Sequence, residues 1–136
     1  MIEYRVGNDL NIDEVIDLYR ASTLGERRPV NDKDRMLRML KTANLVITAW
    51  DQNLMVGISR SLSDYSYVTY LSDLAVRQSH QKQGIGKELI VRTQQEAGHA
   101  TTLVLLAAPA AEAYYPHIGF THHPQAWWLR PGENVR

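Results

Sequence analysis

The segment QKQGIGK, residues 81–87, combines residue types that can bind a phosphate. Gly84 and Gly86 stand where an apolar run has ended and a helical pattern begins. The first amides of a helix have no internal partners, and the helix dipole adds partial positive charge at that end. Glycine lets a phosphate approach the backbone closely, and Lys82 and Lys87 add charge. The pattern predicts a phosphate-binding turn. The alternative is that the two glycines only allow the chain to turn and that the segment binds no phosphate.

The two best-known phosphate motifs do not fit this segment. A Walker loop requires GxxxxGK followed by serine or threonine, and the chain contains no such sequence. A Rossmann fingerprint requires a third glycine at position 89, which is Leu89, together with an N-terminal βαβ unit. A phosphate turn in the middle of this chain therefore calls for a different kind of fold.

The composition is ordinary for a globular chain and excludes several classes of function. The sequence has 136 residues, 44% hydrophobic and 22% charged, and no cysteine. Disulfide frameworks, thiolate zinc sites and cysteine nucleophiles are therefore excluded. Fifteen basic residues balance fifteen acidic ones, which argues against broad binding to nucleic acid or anionic membranes. No apolar run reaches transmembrane length and the N-terminus lacks a signal-peptide pattern, so we expect one cytoplasmic domain over residues 1–136.

Hydropathy periodicity and capping residues predict the elements that would position the glycine turn. The expected order is β-α-α-β-β-β-α-β-α-β, and AWWLR, residues 126–130, is the expected last strand. Asn11 is the expected cap of the first helix, and Gly98 the expected end of the helix after the turn. A run of antiparallel strands followed by a strand-helix-strand unit predicts an α/β (α+β) fold with one mixed sheet.

Two stretches resemble motifs of the GNAT superfamily of acetyl-CoA-dependent N-acetyltransferases. LAVRQSHQKQGIGKEL, residues 74–89, is similar to motif A, which reads Gln/Arg-x-x-Gly-x-Gly/Ala after a strand ending in Leu-x-Val. The matching residues are Leu74, Val76, Gln81, Gly84 and Gly86. AEAYYPHIGF, residues 111–120, resembles motif B. Its matching residues are Ala111, Tyr114, Tyr115, Gly119 and Phe120.

The second motif is expected to lie on a short helix. Pro109 suits the first turn of a helix that would run through Tyr115, with Pro116 and Gly119 ending it. Many members of the family have an asparagine at the position of Ala108. In those members, the side-chain amide of the asparagine usually contacts the cofactor or a water molecule. Ala108 has no side-chain amide, so the resemblance does not imply this contact here.

The resemblance implies a GNAT-type mixed, largely antiparallel sheet flanked by helices, in which strands 68–76 and 102–107 are splayed apart. Acetyl-CoA would lie in that cleft as the co-substrate. Its pyrophosphate would bind the backbone of Gln81, Lys82, Gln83, Gly84, Ile85, Gly86 and Lys87. Its pantetheine arm would pair with the backbone of Leu74, Ala75 and Val76, and an N–H near Val76 would polarise the acetyl carbonyl.

Two residues are candidates for moving protons. Tyr115 matches the tyrosine that in this family commonly protonates the leaving thiolate, and simple packing is the alternative. Asp73 lies in an otherwise apolar strand, where a carboxylate needs a reason. By alternation its side chain is expected on the side of Leu71 and Ala75, opposite Ser72. It would take a proton from the amine or hold the ammonium, unless it is a structural carboxylate at a bulge of the sheet.

The acceptor is left open by the sequence. In this family the loop corresponding to residues 22–30 commonly borders the acceptor pocket, where Glu26 would attract an amine and Arg27 or Arg28 an acidic group; a solvated loop is the alternative. The histidines near the C-terminus have no acidic or cysteine partner at ligand spacing, so no metal site is expected.

The resemblance predicts an N-acetyltransferase in which a primary amine attacks acetyl-CoA directly in a ternary complex. The acceptor would be a small molecule or a protein amine. The alternative is a non-catalytic acyl-CoA-binding or regulatory module on the same fold. Small members of the family often dimerise through late strands, which leaves a homodimer open.

Overall fold

A five-stranded sheet is the framework of the structure, a computed structural model that describes residues 1–136. The strands are β1 (Ile2–Val6), β2 (Leu45–Asp51), β3 (Leu54–Ser63), β4 (Val68–Val76) and β5 (Thr102–Val104). The main helices are α1 (Ile12–Arg20), α2 (Lys33–Thr42) and α3 (Ile85–Ala97). Short 3-10 turns lie at Thr23–Arg27, Gln78–His80 and Pro109–Ala111. These elements confirm the mixed α/β fold class expected from the sequence.

The strands follow one another across the sheet in the order of the chain. β1 to β4 are antiparallel neighbours, and β5 is parallel to β4 because α3 carries the chain back between them. All of β2 except its last residue is buried, as expected of an apolar strand covered on both faces.

The helices cover the two faces of the sheet. α1 and α2 pack on one face, and their buried residues join Val46, Trp50, Ile58 and Ala75 in one core cluster. α3 packs on the other face, where Ile85, Leu89 and Ala97 meet Leu45, Ile47, Ala49 and Val56. None of the helices has both the length and the apolar content needed to cross a membrane.

Local signals fix the ends of these helices as the sequence predicted. The Asn11 side chain accepts from the amides of Asp13 and Glu14 at 2.9 and 3.2 Å, which caps α1. Gly98 follows α3 with φ +90°, a conformation that glycine adopts without steric penalty.

The chain divides into two compact units, Met1–Leu106 and Ala107–Arg136, and the second departs from the expected elements. No strand forms at residues 126–130, because these exposed residues have no neighbouring strand and Arg130 N bonds locally to Glu133 Oε1 at 2.8 Å. Pro116 does not end the short helix α4 (Tyr114–His117) but lies within it. Proline is tolerated there because the first turn of a helix does not use its N–H groups.

Candidate active site

The sheet is open on one side of β4, within the first unit. β5 pairs with β4 only through Val68, Thr69 and Tyr70. From Leu71 to Val76, the only strand paired with β4 is β3. Backbone groups of this part of β4 that point away from β3 therefore have no strand partner, and an extended ligand could pair with them.

The glycine turn after β4 presents a series of unused backbone donors. The amides of residues 82–87 donate to no acceptor in the chain: the first intrahelical bond of α3 beyond them runs from Glu88 N to Gly84 O at 3.0 Å. Gly84, the residue before α3, has φ +81°, and Lys82 has φ +62°. These left-handed residues bend the chain sharply ahead of α3. The result is a concavity lined by free N–H groups at a helix N-terminus, a geometry that suits an anion.

Space for a ligand remains above both glycines. A Cβ atom built on Gly84 would meet nothing within 4 Å, and one on Gly86 would meet only Val76 Cγ2, at 3.7 Å. Neither glycine is therefore required by packing inside the chain. The open space over the free amides is what a phosphate that touches the backbone would need.

Side chains tie the turn to the sheet. Gln81 Nε2 donates to Val76 O at 3.0 Å, which joins the turn to the end of β4. His80 Nε2 lies 2.8 Å from Asp51 Oδ2, and Ser79 Oγ lies 2.7 Å from His80 Nδ1. These contacts hold the donors in place before any ligand arrives.

Asp73 is fully buried on β4 and is held by four side chains. Arg28 Nε lies 2.6 Å from Oδ1, and Ser72 Oγ lies 3.3 Å from the same oxygen. Arg60 Nε and Tyr19 OH both lie 2.7 Å from Oδ2. Burial opposes ionisation, but the bonds from Arg60 and the two guanidinium charges outweigh it and lower the pKa of Asp73 below its usual value. A carboxylate so saturated with donors is a weak proton acceptor.

A β-bulge corrects the expected direction of the Asp73 side chain. Cross-strand partners lie on the same face; Asp73 is opposite Arg60, whereas Leu71 is opposite the next residue, Ser61. Leu71 and Asp73 therefore lie on opposite faces, and the extra residue is Ser72. Its side chain is near that of Asp73 and not on the other face. The alternation was wrong at this point because a bulge shifts it by one residue.

Two residues of this cluster are not evident from the sequence. Tyr19 is 1% exposed, and its periodicity alone places it on the apolar face of α1. Nothing in the sequence points to Asp73 as the partner of its hydroxyl. Burial and the negative charge of Asp73 raise the pKa of Tyr19 well above its usual value, so the hydroxyl stays protonated. Arg60 could have been noticed as a charge inside an apolar strand, which normally requires a buried partner.

Tyr115 lies in the second unit, on α4. Its ring packs edge-on against Tyr114 and Phe120, with ring centroids 5.6 and 5.4 Å away. Burial, and to a smaller extent Tyr114, raises the pKa of Tyr115 above its usual value near 10. The phenol is therefore protonated at neutral pH and can donate a proton.

Comparison with known proteins identifies the family. The family model of the acetyltransferase (GNAT) domain matches residues 23–126. The chain belongs to the GNAT acetyltransferase family. The match covers both motifs found in the sequence and most of both units of this GNAT chain.

Solved structures share the fold of this GNAT chain. A GNAT-family acetyltransferase from Streptococcus pneumoniae TIGR4 superposes with a TM-score of 0.73 at 21% identity, over 96% of this chain and 99% of the other. The aminoglycoside N-acetyltransferase AAC(6')-Iy, solved in complex with CoA, gives a TM-score of 0.73 at 16% identity, over 96% and 94% of the two chains. Identities this low demonstrate a common fold alone.

Two curated relatives are similar in sequence. The uncharacterised N-acetyltransferase ycf52 of Gracilaria tenuistipitata var. liui is 30% identical over 100 residues, which are 66% of this GNAT chain and 55% of that protein. Histone acetyltransferase TAP1 of Glycine max is 31% identical over 80 residues, 55% of this chain and 33% of the relative. The chain thus matches about half and a third of the lengths of these relatives.

Proposed function

We propose that this protein transfers the acetyl group of acetyl-CoA to a primary amine, with both substrates bound at once. The observation that carries the proposal is the row of free amides at residues 82–87, next to the unpaired edge of β4. The AAC(6')-Iy structure contains CoA, which supports the same co-substrate here. We also propose that the two units act together as one acetyltransferase domain over residues 1–136.

The residues would bind the co-substrate in three groups. Its pyrophosphate would accept from the free amides of Lys82, Gln83, Gly84, Ile85, Gly86 and Lys87. The N–H of Gln81 already donates to Gln78 O at 3.4 Å, so Gln81 would support the turn through its side-chain bond to Val76 O. Its pantetheine arm would extend the sheet along the backbone of Leu74, Ala75 and Val76, where β5 has separated. The backbone N–H near Val76 would polarise the acetyl carbonyl.

The reaction needs one new bond, one broken bond and a proton for the thiolate. The neutral amine nitrogen attacks the thioester carbonyl, so that the N–C bond forms and the C–S bond breaks. Tyr115 gives its phenolic proton to the departing thiolate and regains one from the former amine nitrogen, directly or through water. The products are the acetamide and CoA with a free thiol.

We propose a structural role for Asp73, in place of the role as general base. Both of its oxygens are already engaged by Arg28, Arg60 and Tyr19, and its pKa is lowered. An efficient base has a pKa near the working pH. The amine would then lose its proton to solvent, and Asp73 would hold the bulge of β4 in shape.

Calorimetric titration tests the proposed co-substrate. Acetyl-CoA should bind with one saturable site, and CoA should bind as a product does. A screen of amines with detection of the released thiol should then identify acceptors. Failure of the folded chain to bind acetyl-CoA would contradict the proposal and favour a protein-binding module.

Tyr115→Phe is expected to lower kcat by about 100-fold, a typical contribution of a positioned general acid, and to leave acetyl-CoA affinity unchanged. Because the pKa of Tyr115 is raised, the wild-type rate should be limited by loss of this proton only above about pH 10. Steady-state kinetics across pH measure both effects. Tyr114→Phe is the matched control, and a Tyr115→Phe variant with the wild-type rate would remove Tyr115 from the mechanism.

A further inference from the structure

The buried cluster around Asp73 contains one more positive charge than negative charges. Arg28 and Arg60 both contact Asp73, and no other carboxylate lies within 4.0 Å of either guanidinium. Tyr19 contributes no charge because its hydroxyl stays protonated. An uncompensated guanidinium inside a protein is costly unless an anion approaches it. The cluster therefore favours a negatively charged ligand.

The excess charge reaches solvent through Arg28. The Arg60 side chain is 9% exposed, whereas that of Arg28 is 24% exposed. Three of the five N–H groups of Arg28 are used, by Asp73, by Arg27 O at 2.8 Å and by Ser72 O at 2.8 Å. Two N–H groups are left, on a guanidinium whose position is already fixed. Such a side chain loses little conformational entropy when it binds an anion.

Arg28 also contacts the part of β4 that has no partner strand on the side of β5. The carbonyl that it binds belongs to Ser72, the extra residue of the bulge. Pairing between β4 and β5 ends two residues earlier, at Tyr70 and Val104. The cation is therefore beside the edge of β4 along which the acetyl donor is proposed to lie, and an acceptor entering there would meet it.

We propose that Arg28 is an acceptor-specificity residue that binds a carboxylate of the amine substrate. The inference rests on the proposed function and names the class of acceptor as amines that carry a carboxylate, such as amino acids. The planar guanidinium matches a carboxylate in geometry as well as in charge. A polycationic acceptor would be repelled by the same group.

Arg27 offers a matched comparison. It precedes Arg28 and carries the same charge, but its side chain is exposed and makes no hydrogen bond or ion pair within the chain. Only its carbonyl takes part in the network, and a substitution of the side chain leaves that carbonyl in place. Arg27→Gln therefore removes a charge from the same loop without touching the proposed subsite.

The kinetic test uses pairs of acceptors that differ only in the carboxylate, glycine with glycinamide and phenylalanine with phenylalaninamide. We expect kcat/KM to favour the acid of each pair by at least about 10-fold, although the amide has the less basic and more readily neutral amine. Arg28→Gln should remove that preference by raising KM for the acid alone, and Arg28→Lys should restore part of it. Arg27→Gln should keep the wild-type preference.

A second measurement does not depend on acetyl transfer. The Arg28 Nε–H resonance of ¹⁵N-labelled protein should shift saturably with N-acetylglycine and remain unchanged with N-acetylglycinamide. This titration tests the subsite even if acetyl-CoA fails to bind, so failure of the proposed function and failure of the subsite are distinguishable. Three results would each overturn the proposal. They are equal kcat/KM for acid and amide in the wild type, an equal loss of kcat/KM for both in Arg28→Gln, and an Arg28 Nε–H resonance that does not shift with N-acetylglycine.

Discussion

Gly84→Val is expected to weaken acetyl-CoA binding by at least about 100-fold, which corresponds to about 2.7 kcal/mol. The valine side chain would occupy the open space above the free amides of residues 82–87, where a phosphate would otherwise approach the backbone. The left-handed φ of +81° adds strain for a β-branched residue and would reshape the turn. Calorimetric titration of the variant with acetyl-CoA measures the loss.

Gly132→Val is the control for this substitution. Gly132 has φ +84°, and a Cβ atom built on it would meet nothing within 4 Å, so backbone strain and free space are matched. It lies in the C-terminal unit, outside the phosphate turn. Its variant should bind acetyl-CoA as the wild type does. Unchanged affinity in Gly84→Val, with thermal unfolding showing a folded protein, would refute the role of the turn.

Asp73→Asn is expected to lower the free energy of unfolding by about 3–5 kcal/mol, the usual effect of breaking a buried ion pair from one side. The neutral amide would leave Arg28 and Arg60 without a counter-charge in a site where the carboxylate is 0% exposed. A loss of this size is a large part of the stability of a typical domain, about 5–15 kcal/mol. Denaturant unfolding monitored by circular dichroism measures it.

Asp17→Asn supplies the comparison for Asp73→Asn. Asp17 also pairs with an arginine, Arg77, at 3.0 Å, but its side chain is 66% exposed. Exposed pairs contribute at most about 1 kcal/mol, so this variant should unfold almost as the wild type does. Similar small losses in both variants would show that the Asp73 cluster does not stabilise the fold.

The same cluster predicts the direction of acid sensitivity. The folded protein lowers the pKa of Asp73, so its contribution to stability is present above the unfolded-state pKa of about 3.9 and is lost as pH falls through the folded-state value. Unfolding experiments between about pH 7 and about pH 2 should show this loss in the wild type. Asp73→Asn should lack this component because the amide does not titrate.

The sequence predicted the features that depend on neighbours along the chain. Asn11 caps α1 and Gly98 follows α3 because caps and left-handed glycines act within a few residues. The two motifs led to the GNAT family, which the match over residues 23–126 confirms.

Two of the features that sequence reasoning missed depend on long-range pairing, and a third, at Pro116, is local. The bulge at Ser72 comes from the register between β3 and β4, which alternation within one strand cannot reveal. Residues 126–130 were expected to form a strand but do not, because a strand needs a neighbouring strand to pair with. The apolar content of a segment does not show whether such a neighbour exists. Pro116 was expected to end a helix, although its place within the first turn makes it harmless.

The sequence by itself determined the glycine turn before α3, the helix ends and the family, because each depends on residues that are close together in the chain. Only the tertiary structure decided which residues surround Asp73. Tyr19, Arg28 and Arg60 come from α1, the segment after it and β3, and they meet because packing fixes the positions of these elements on the sheet. A buried carboxylate needs hydrogen-bond donors, and here the donors come from residues far from Asp73 in the sequence. A local sequence pattern does not show such contacts.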